Sequence, residues 1–593
     1  PRTRVIGAEG NWVLPGFTDS HLHLTVAMKR TRGRSVSEVT TPAGFERELK
    51  DLSKARPDQD VLYLFDLNYL RPPIIPAEEC RSFLDRIVDD RPVIVFAHDL
   101  HTLWANSAAL ETAGLLHEMP PYPPLADELA LENNIVLGAD RIPSGELREP
   151  EVGYFVTGPV QARFPVPIEK QLDELENVCR DLATHGITGV HNMGLAQPAE
   201  DLSFLILLLE LEQKGRLPVR VSTSFSAIAD ANMLEDVHQA YLARNALRSA
   251  RNKEMNAAEL HDLLLEKLLG KANSRHPDLV ETAEKDSEIG GHPHIAEILS
   301  HSRHIHKVIE KTYLKPHGTR DNPHRKQGMP EYIGEGCKVR CDTVKIFMDG
   351  IVEKNTAYRL DREPVMGIPE FSEEELFSLV EFADKLGMQV AAHSIGDASV
   401  RSMLNAILRV RRLHDDMDEE RGHKIPHRVE HIELCEPGDI PRFGEESVVT
   451  SMQPLHERPP VRLWHKMVPE NKWDTAFAWE DVQKNGAVLV FGSDWPIVSC
   501  DVREGIQHAV TRTPWVRGSL DQSVSLDEAV NAYTSGPAFT EYSDRIKGRV
   551  QPGMLADMVI ISGDLKALQR KDGSKPDIHM TICDGRIIHA PAD

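Results

Sequence analysis

The chain contains 593 residues, 41% of them hydrophobic, and its formal net charge is −24. A chain of this length is too long for one small hydrophobic core, so we expect a large domain with accessory parts. Because the chain is so acidic, we do not expect it to bind nucleic acid or an anionic membrane. The longest aliphatic run, residues 204–209, is too short to span a bilayer, and the seven scattered cysteines offer no disulfide framework, which favours the cytoplasm.

The two ends of the chain are predicted to form one small β domain. Residues 5–14 and 545–590 contain short apolar runs, and Asp584-Gly585 between two β-branched runs is a hairpin signal. No secretory signal is visible, and because the chain opens at Pro1, we expect an upstream segment.

Residues 15–24 are predicted to form a buried strand that ends in a histidine pair. Residues two apart in a strand share a face, so His21 and His23 point to one place, as a divalent metal requires. Asp19 lies on the same face and is a candidate supporting residue. A lone His-x-His pair is weak evidence, so the prediction depends on which other residues converge there.

Residues 25–167 are predicted to form an inserted α/β subdomain. Runs at 61–65 and 92–96 are strand-like, and Asn106 precedes an Ala/Leu-rich stretch as a helix N-cap. A helix at about 170–184 and strands at 187–191 and 219–223 then return to the main domain.

The segment 230–336 is rich in Leu, Ala, Glu, Lys and Arg, and its leucines follow helical periodicity. Its five clustered histidines either bind metal or lie exposed on a helical lid or oligomer surface, and we favour exposed histidines. Because loops after barrel strands lie at the active-site face, a lid is the expected role. The clustered histidines are His292, His294, His301, His304 and His306.

Four later strand-like segments each present a potential metal ligand: Lys345, His393, His431 and Asp494. Taken singly, each has an ordinary alternative: a buried lysine paired with Asp349, two core histidines, and a turn or cap aspartate. Lys345 would serve as a ligand only after carbon dioxide converts it to a carbamate. Together with the histidine pair, these strand ends predict a barrel with a two-metal hydrolytic site at the carboxyl ends of its strands.

Nine segments in this chain resemble the motifs of the amidohydrolase superfamily, specifically amidohydrolase family 3, which includes YtcJ-like proteins and N-substituted formamide deformylase. They run in family order from near the first residue to near the last: GFTDSHLHL, RPVIVFAHDLHTLWANSAAL, SGELRE, VKIFMDG, AAHSIGDASV, RVEHIEL, SMQPLH, FGSDWP and KGRVQPGMLADMVII. The chain departs from the family in reading IVEKNTA after VKIFMDG and in the length of its 230–336 region. Both departures bear on substrate choice.

The resemblance implies an α/β fold with a (β/α)8 TIM-type barrel, a small β-sandwich domain formed by both chain ends, and two insertions, one α/β and one mostly helical. The implied domains are the sandwich at 1–13 and 545–593, the barrel at 14–24, 168–229 and 337–544, and the insertions at 25–167 and 230–336.

The resemblance also implies the metal site, with one or two divalent ions, zinc being expected. Its residues would be His21, His23, Lys345, His393, His431 and Asp494. The first histidine pair and Asp494 would hold the more buried ion, and the later two histidines would hold the other, with carbamylated Lys345 between them. Asp494 is also the expected general base and acid. The residues expected to contact substrate are His98, His101, Trp104 and His456.

The implied activity is hydrolysis of a non-peptide carbon–nitrogen bond in a small amide or N-substituted formamide by metal-bound hydroxide. A deaminase or cyclic-amide hydrolase would use nearly the same ligands and stays open. A non-catalytic scaffold is also open, although six intact ligands argue against it. The expected partner is a small-molecule amide, and relatives make a homodimer the expected assembly.

Overall fold

The computed structural model describes residues 5–68, 74–98, 102–123, 131–195, 198–229, 233–252, 337–352, 355–361, 367, 369–421, 423–457, 467–515 and 518–591. The described residues form two compact units, one with residues up to 24 and from 176 onward, and one with residues 25–175. Most of the predicted 230–336 insertion lies outside the described residues. Its described part forms the helix Met233–Asn252.

The strands, in chain order, are β1 (Trp12–Pro15), β2 (Phe17–Leu22), β3 (Arg34–Ser35), β4 (Leu62–Leu67), β5 (Val93–Ala97), β6 (Thr102–Ala105), β7 (Ile135–Leu137), β8 (Pro143–Arg148), β9 (Ile187–Asn192), β10 (Arg220–Ser226), β11 (Val339–Phe347), β12 (Gln389–Ser394), β13 (Arg428–His431), β14 (Val449–Met452), β15 (Val488–Phe491), β16 (Met558–Ser562), β17 (Asp577–Cys583) and β18 (Arg586–His589).

The α-helices are Leu24–Thr31, Pro42–Ala55, Cys80–Asp85, Ser107–Thr112, Leu131–Asn134, Pro150–Arg163, Ile168–Thr184, Pro198–Gln213, Met233–Asn252, Glu373–Lys385, Asp397–Leu413, Asp415–Arg421, Ile440–Glu445, Trp479–Lys484, Val502–Thr511, Leu526–Ala532 and Ser535–Thr540. Short 3₁₀ helices are Ala77–Glu79, Pro454–Glu457, Glu470–Thr475 and Leu565–Gln569. Within the described ranges, no helix combines the length and apolarity needed to cross a membrane.

Eight parallel strands form the barrel, in the order β15-β14-β13-β12-β11-β10-β9-β2. A single bridge between Leu22 and Trp495 brings the first and last strands together, so the ring is nearly closed. Every residue of β2, β9 and β12 is buried, as expected for parallel strands covered on both faces. The predicted barrel of alternating strands and helices is confirmed.

The two chain ends meet in one antiparallel sheet of order β1-β16-β17-β18. Asp584 and Gly585 join the last two strands with φ of 55° and 72°, which suits the predicted tight hairpin. Arg220 ties this sheet to the barrel, because its guanidinium bonds the Asp557 carboxylate at 2.7 and 3.0 Å and the Asp584 carboxylate at 2.9 Å.

The second unit contains a mixed six-stranded sheet of order β3-β4-β5-β6-β8-β7. Alternate residues of β4 enter different apolar clusters, Tyr63 and Phe65 on one face and Leu62 and Leu64 on the other, because side chains alternate across a strand. Asn106 caps the next helix by accepting a bond from the Ala109 amide at 3.1 Å, as predicted. The unit therefore has its own core on both faces of its sheet.

Candidate metal centre

The first two candidate ligands lie at the carboxyl end of β2, where His21 is 1% and His23 is 5% exposed. His21 Nδ1 lies 2.7 Å from Glu430 Oε2, and His23 Nδ1 lies 2.9 Å from the Met193 carbonyl oxygen. A carboxylate and a carbonyl can only accept, so each Nδ1 carries the proton. In the neutral form of each ring, Nε2 is then the nitrogen left to bind a metal, and both Nε2 atoms face the Asp494 carboxylate.

Asp494 follows β15 with a φ of 59°. Its amide donates to the His21 carbonyl at 2.6 Å, and its Oδ1 lies 3.4 Å from His21 Nε2 and 3.0 Å from His23 Nε2. Two ring nitrogens and a carboxylate oxygen thus face one point, an arrangement of donor atoms that suits a divalent cation.

His393 at the end of β12 and His431 at the end of β13 lie side by side, with ring centroids 4.5 Å apart. His431 Nδ1 is 2.8 Å from Gln453 Oε1, and His393 Nε2 is 3.3 Å from the Gly350 carbonyl. Burial, followed by the charge of His393, lowers the pKa of His431 well below its ordinary value. Its imidazole is therefore neutral, the form that binds metal.

Lys345 on β11 is fully buried, and its Nζ has no hydrogen-bond partner among the described residues. Burial lowers the pKa of this amine to about 8. Asp349 is not its partner, because the Asp349 carboxylate accepts the amides of Ile395 at 3.0 Å and Gly396 at 2.8 Å. The simple ion-pair alternative for this lysine is thus excluded.

A ligand atom from each of His21, His431 and Asp494 lies within 4.8 Å of the others. The other two candidate histidines flank this trio. Neutral imidazoles with one carboxylate form a donor set that zinc and similar divalent ions take. The residues present therefore fit a divalent metal, while a cationic Lys345 would repel it unless modified.

Asp19 bonds the backbone of two segments that carry candidate ligands. Its Oδ1 accepts the amides of His21 at 3.1 Å and Ser493 at 3.0 Å, which joins the end of β2 to the segment after β15. Burial raises the pKa of Asp19 to about 7. This position fits the supporting role predicted for it.

Sequence reasoning missed two charged residues of β13, Arg428 and Glu430, both fully buried. Glu430 accepts a hydrogen bond from His21 Nδ1 and is held by the Arg428 guanidinium. The available signal was the alternation in Arg-Val-Glu-His, which places two charges on one face of a strand that must be buried. Buried charges of this kind are kept only when they are paired.

His456 lies in the site as well. It follows β14, and its Nε2 is 3.5 Å from Asp494 Oδ2 while its Nδ1 is 3.2 Å from Glu433 Oε1. Its ring stacks on that of His431, with centroids 5.7 Å apart and planes 9° apart. Glu433, which sequence reasoning did not single out, thus orients His456.

The other predicted substrate contacts belong to the second unit. The His98 side chain is 49% exposed, and its Nδ1 lies 3.7 Å from Asp66 Oδ1. Trp104 is 1% exposed in the apolar core, and its Nε1 donates to Glu146 at 3.2 Å, so its position is that of a packing residue. His101 lies outside the described residues. Substrate contact by these three residues stays a prediction.

Comparison with known proteins agrees with this architecture. A family model described as the Amidohydrolase family matches residues 4–589. The chain is 24% identical over 608 residues to the YtcJ amidohydrolase of Bacillus subtilis (strain 168), covering 99% of this chain and 91% of that protein. It is 21% identical over 574 residues to N-substituted formamide deformylase of Arthrobacter pascens, covering 95% and 86%.

Among solved structures, the chain resembles the crystal structure of an uncharacterized metal-dependent hydrolase from Pyrococcus horikoshii OT3. The TM-score is 0.62 at 19% identity, over 96% of this chain and 89% of that chain. This similarity shows that the two chains share a fold.

Proposed function

The chain belongs to the amidohydrolase family, and on this basis we propose that it is a metal-dependent hydrolase of non-peptide carbon–nitrogen bonds in small amides. The observation that carries the proposal is the convergence of ligand atoms from His21, His431 and Asp494 within 4.8 Å at the carboxyl ends of three barrel strands. That end of the barrel is where enzymes of this architecture place their active sites.

The proposed metal, one or two zinc or similar ions, would be held by His21, His23 and Asp494 and by His393 and His431. When bound, a divalent metal lowers the pKa of water and polarises a substrate carbonyl. The other chemical steps belong to the side chains of this chain, chiefly Asp494 and Lys345.

Asp494 is the proposed general base and acid. Its Oδ1 lies 3.4 Å from His21 Nε2 and 3.0 Å from His23 Nε2, so the carboxylate is placed beside the metal position to accept a proton from the attacking water and to pass it to the leaving amine. His456 Nε2 lies 3.5 Å from Asp494 Oδ2, and Glu433 Oε1 lies 3.2 Å from the Nδ1 atom of the same ring. His456 is thus placed to contact the substrate beside the reacting group.

Lys345 is the proposed carbamate. Its neutral Nζ would attack carbon dioxide and release a proton, so that the buried side chain carries a negative charge. The pKa of about 8 leaves more free amine at neutral pH than an ordinary lysine has. The lack of a hydrogen-bond partner for Nζ among the described residues supports the proposed carbamate, since burying an unpaired ammonium group is costly.

N-substituted formamides are the substrates we propose to test first. A relative that matches 95% of this chain is named for deformylation of these compounds. The proposed setting is the cytoplasm, with a small-molecule substrate and a homodimer as the assembly.

The test is hydrolysis of a panel containing N-alkyl and N-aryl formamides, other secondary amides, cyclic amides and amino-heterocycles. The enzyme is assayed as purified, after chelation, and after zinc is restored with bicarbonate. Amine, formate and ammonia are quantified separately, so that deformylation, ring opening and deamination are distinguished.

We expect amine release that disappears on chelation and returns with metal. Ammonia from an amino-heterocycle as the main product would identify a deaminase instead. Tight metal binding without turnover of any compound class would contradict the proposed amide substrates, and turnover that survives complete metal removal would contradict the mechanism.

A further inference from the structure

Arg428 is a fully buried guanidinium inside the barrel. Its Nε donates to Glu430 Oε1 at 2.8 Å, and its Nη2 donates to Glu430 Oε2 at 3.1 Å. Such two-point pairing fixes both partners in one plane. The same guanidinium also contacts His191 Nδ1.

The contacts of Arg428 reach the neighbouring strand β14 and also β2, which is not a neighbour of β13. Its Nη2 donates to the Ser20 carbonyl at 2.7 Å and to Ser451 Oγ at 2.9 Å. Ser20 belongs to β2, whereas Arg428 belongs to β13, and these two strands are separated by others in the sheet. Arg428 therefore links, across the barrel interior, the strand that carries His21 to the strand that carries His431.

Glu430 connects Arg428 to the candidate ligand His21. Its Oε2 accepts a hydrogen bond from His21 Nδ1 at 2.7 Å, and the two-point pairing with Arg428 prevents the carboxylate from rotating away. The proton is thereby held on Nδ1, and His21 Nε2 is directed to the Asp494 carboxylate at 3.4 Å. A rotated or doubly protonated His21 would lose this arrangement.

We propose that Arg428 and Glu430 form a positioning pair that holds His21 in its metal-binding orientation. This buried pair would thereby increase the affinity of the centre for metal. The inference rests on the metal centre of the proposed function. It goes beyond that proposal by attributing part of the metal affinity to two residues that are not candidate ligands.

A purely structural role is the competing explanation, and a second buried pair in the barrel provides the matched control. On β11, Arg340 is 8% and Asp342 5% exposed, and Arg340 Nε and Nη2 lie 3.1 and 2.7 Å from Asp342 Oδ2. Like the β13 pair, it joins an arginine to a carboxylate two residues later. Arg340 also donates to the Glu541 carbonyl, and Arg248 Nη2 lies 3.5 Å from Asp342 Oδ1; neither of these partners is a candidate metal ligand.

The experiment compares Glu430→Gln with Asp342→Asn. Zinc affinity is measured by competition with a chromogenic chelator, thermal stability is measured on the metal-free proteins, and cobalt(II) absorption reports ligand geometry. Arg428→Lys serves as a second variant that keeps the charge but loses the planar fork, and it is informative if Glu430→Gln does not fold.

We expect Glu430→Gln to weaken zinc binding by about 10–100-fold, the usual effect of losing a residue that orients a ligating histidine. Arg428→Lys should weaken binding less, with an altered cobalt spectrum, while Asp342→Asn should leave both affinity and spectrum unchanged. Wild-type affinity in Glu430→Gln and Arg428→Lys would overturn the inference, as would an equal loss in Asp342→Asn. A wild-type protein that takes up no metal would overturn the proposed function and this inference with it.

Discussion

Replacing Gly492 by alanine tests the geometry of the centre without changing any candidate ligand. A Cβ at this position would lie 2.5 Å from His21 N, 2.8 Å from His21 Cβ and 3.0 Å from His21 Cα. The nearest of these contacts is about 0.9 Å short of the 3.4 Å at which ordinary contact begins. The clash is with backbone, so a side chain cannot rotate to relieve it, and the end of β2 must move away from the end of β15.

This displacement has two expected consequences. Overpacking of a well-packed core destabilises proteins by about 1–3 kcal/mol, and the free energy of unfolding should fall by that amount. A shift of about 1 Å in a catalytic group lowers turnover by about 100-fold. Because His21 and Asp494 are joined through the His21 carbonyl at 2.6 Å, both should be displaced relative to His431, and zinc affinity should fall.

The assay combines denaturant unfolding, zinc competition and metal-restored amide turnover for Gly492→Ala. Gly438→Ala is the matched control, because a Cβ there meets no atom within 4 Å; its effect should stay within about 0.5 kcal/mol. Zinc affinity and turnover in Gly492→Ala that match those of Gly438→Ala would refute the proposed convergence of β2 and β15 on one metal site.

Three further predictions address single residues and pH. Asp494→Asn should retain metal but lose turnover by about 10²–10⁴-fold, since it removes the proton acceptor; near-normal kcat would remove Asp494 from the mechanism. His21→Ala should lower the metal content per chain, measured by plasma mass spectrometry, and an unchanged stoichiometry would overturn its assignment as a ligand. Burial lowers the pKa of His21 and His191 to about 4, so both stay neutral when folded and gain a proton on unfolding below about pH 6.5. These two histidines should therefore destabilise the metal-free protein as pH falls from about 6.5 towards 4, by up to about 1.4 kcal/mol per pH unit for each, while the buried carboxyls of Asp19, Asp201 and Asp349, whose pKa burial raises to about 7, act in the opposite sense. Denaturant midpoints should accordingly fall less with pH in His191→Gln than in the wild type, and equal slopes for the two proteins would contradict this.

The barrel strands could be predicted because each carries a local signal. Apolar runs at β11, β12 and β15 end in a residue that apolar periodicity does not explain, and His-x-His fixes a shared face at the end of β2. The Asp584-Gly585 hairpin and the Asn106 cap were also readable, because turn and cap geometries restrict which residues fit.

The interior network was not predicted, because its contacts depend on strand order and register. Arg428 is 408 residues from Ser20, whose carbonyl it bonds, and Glu430 is 409 residues from His21. No local pattern states that β13 faces β2 across the barrel. Similarly, the Lys345–Asp349 pair suggested by strand parity fails because Asp349 is used by the Ile395 and Gly396 amides.

The most direct test of the central claim is the number of metal ions per chain, measured by plasma mass spectrometry on protein purified without chelator or metal affinity. The account predicts one to two tightly bound divalent ions, zinc foremost, with a lower content in His21→Ala. A wild-type chain that carries no metal, and takes up none when zinc and bicarbonate are added, would contradict the account and leave this barrel without the chemistry proposed for it.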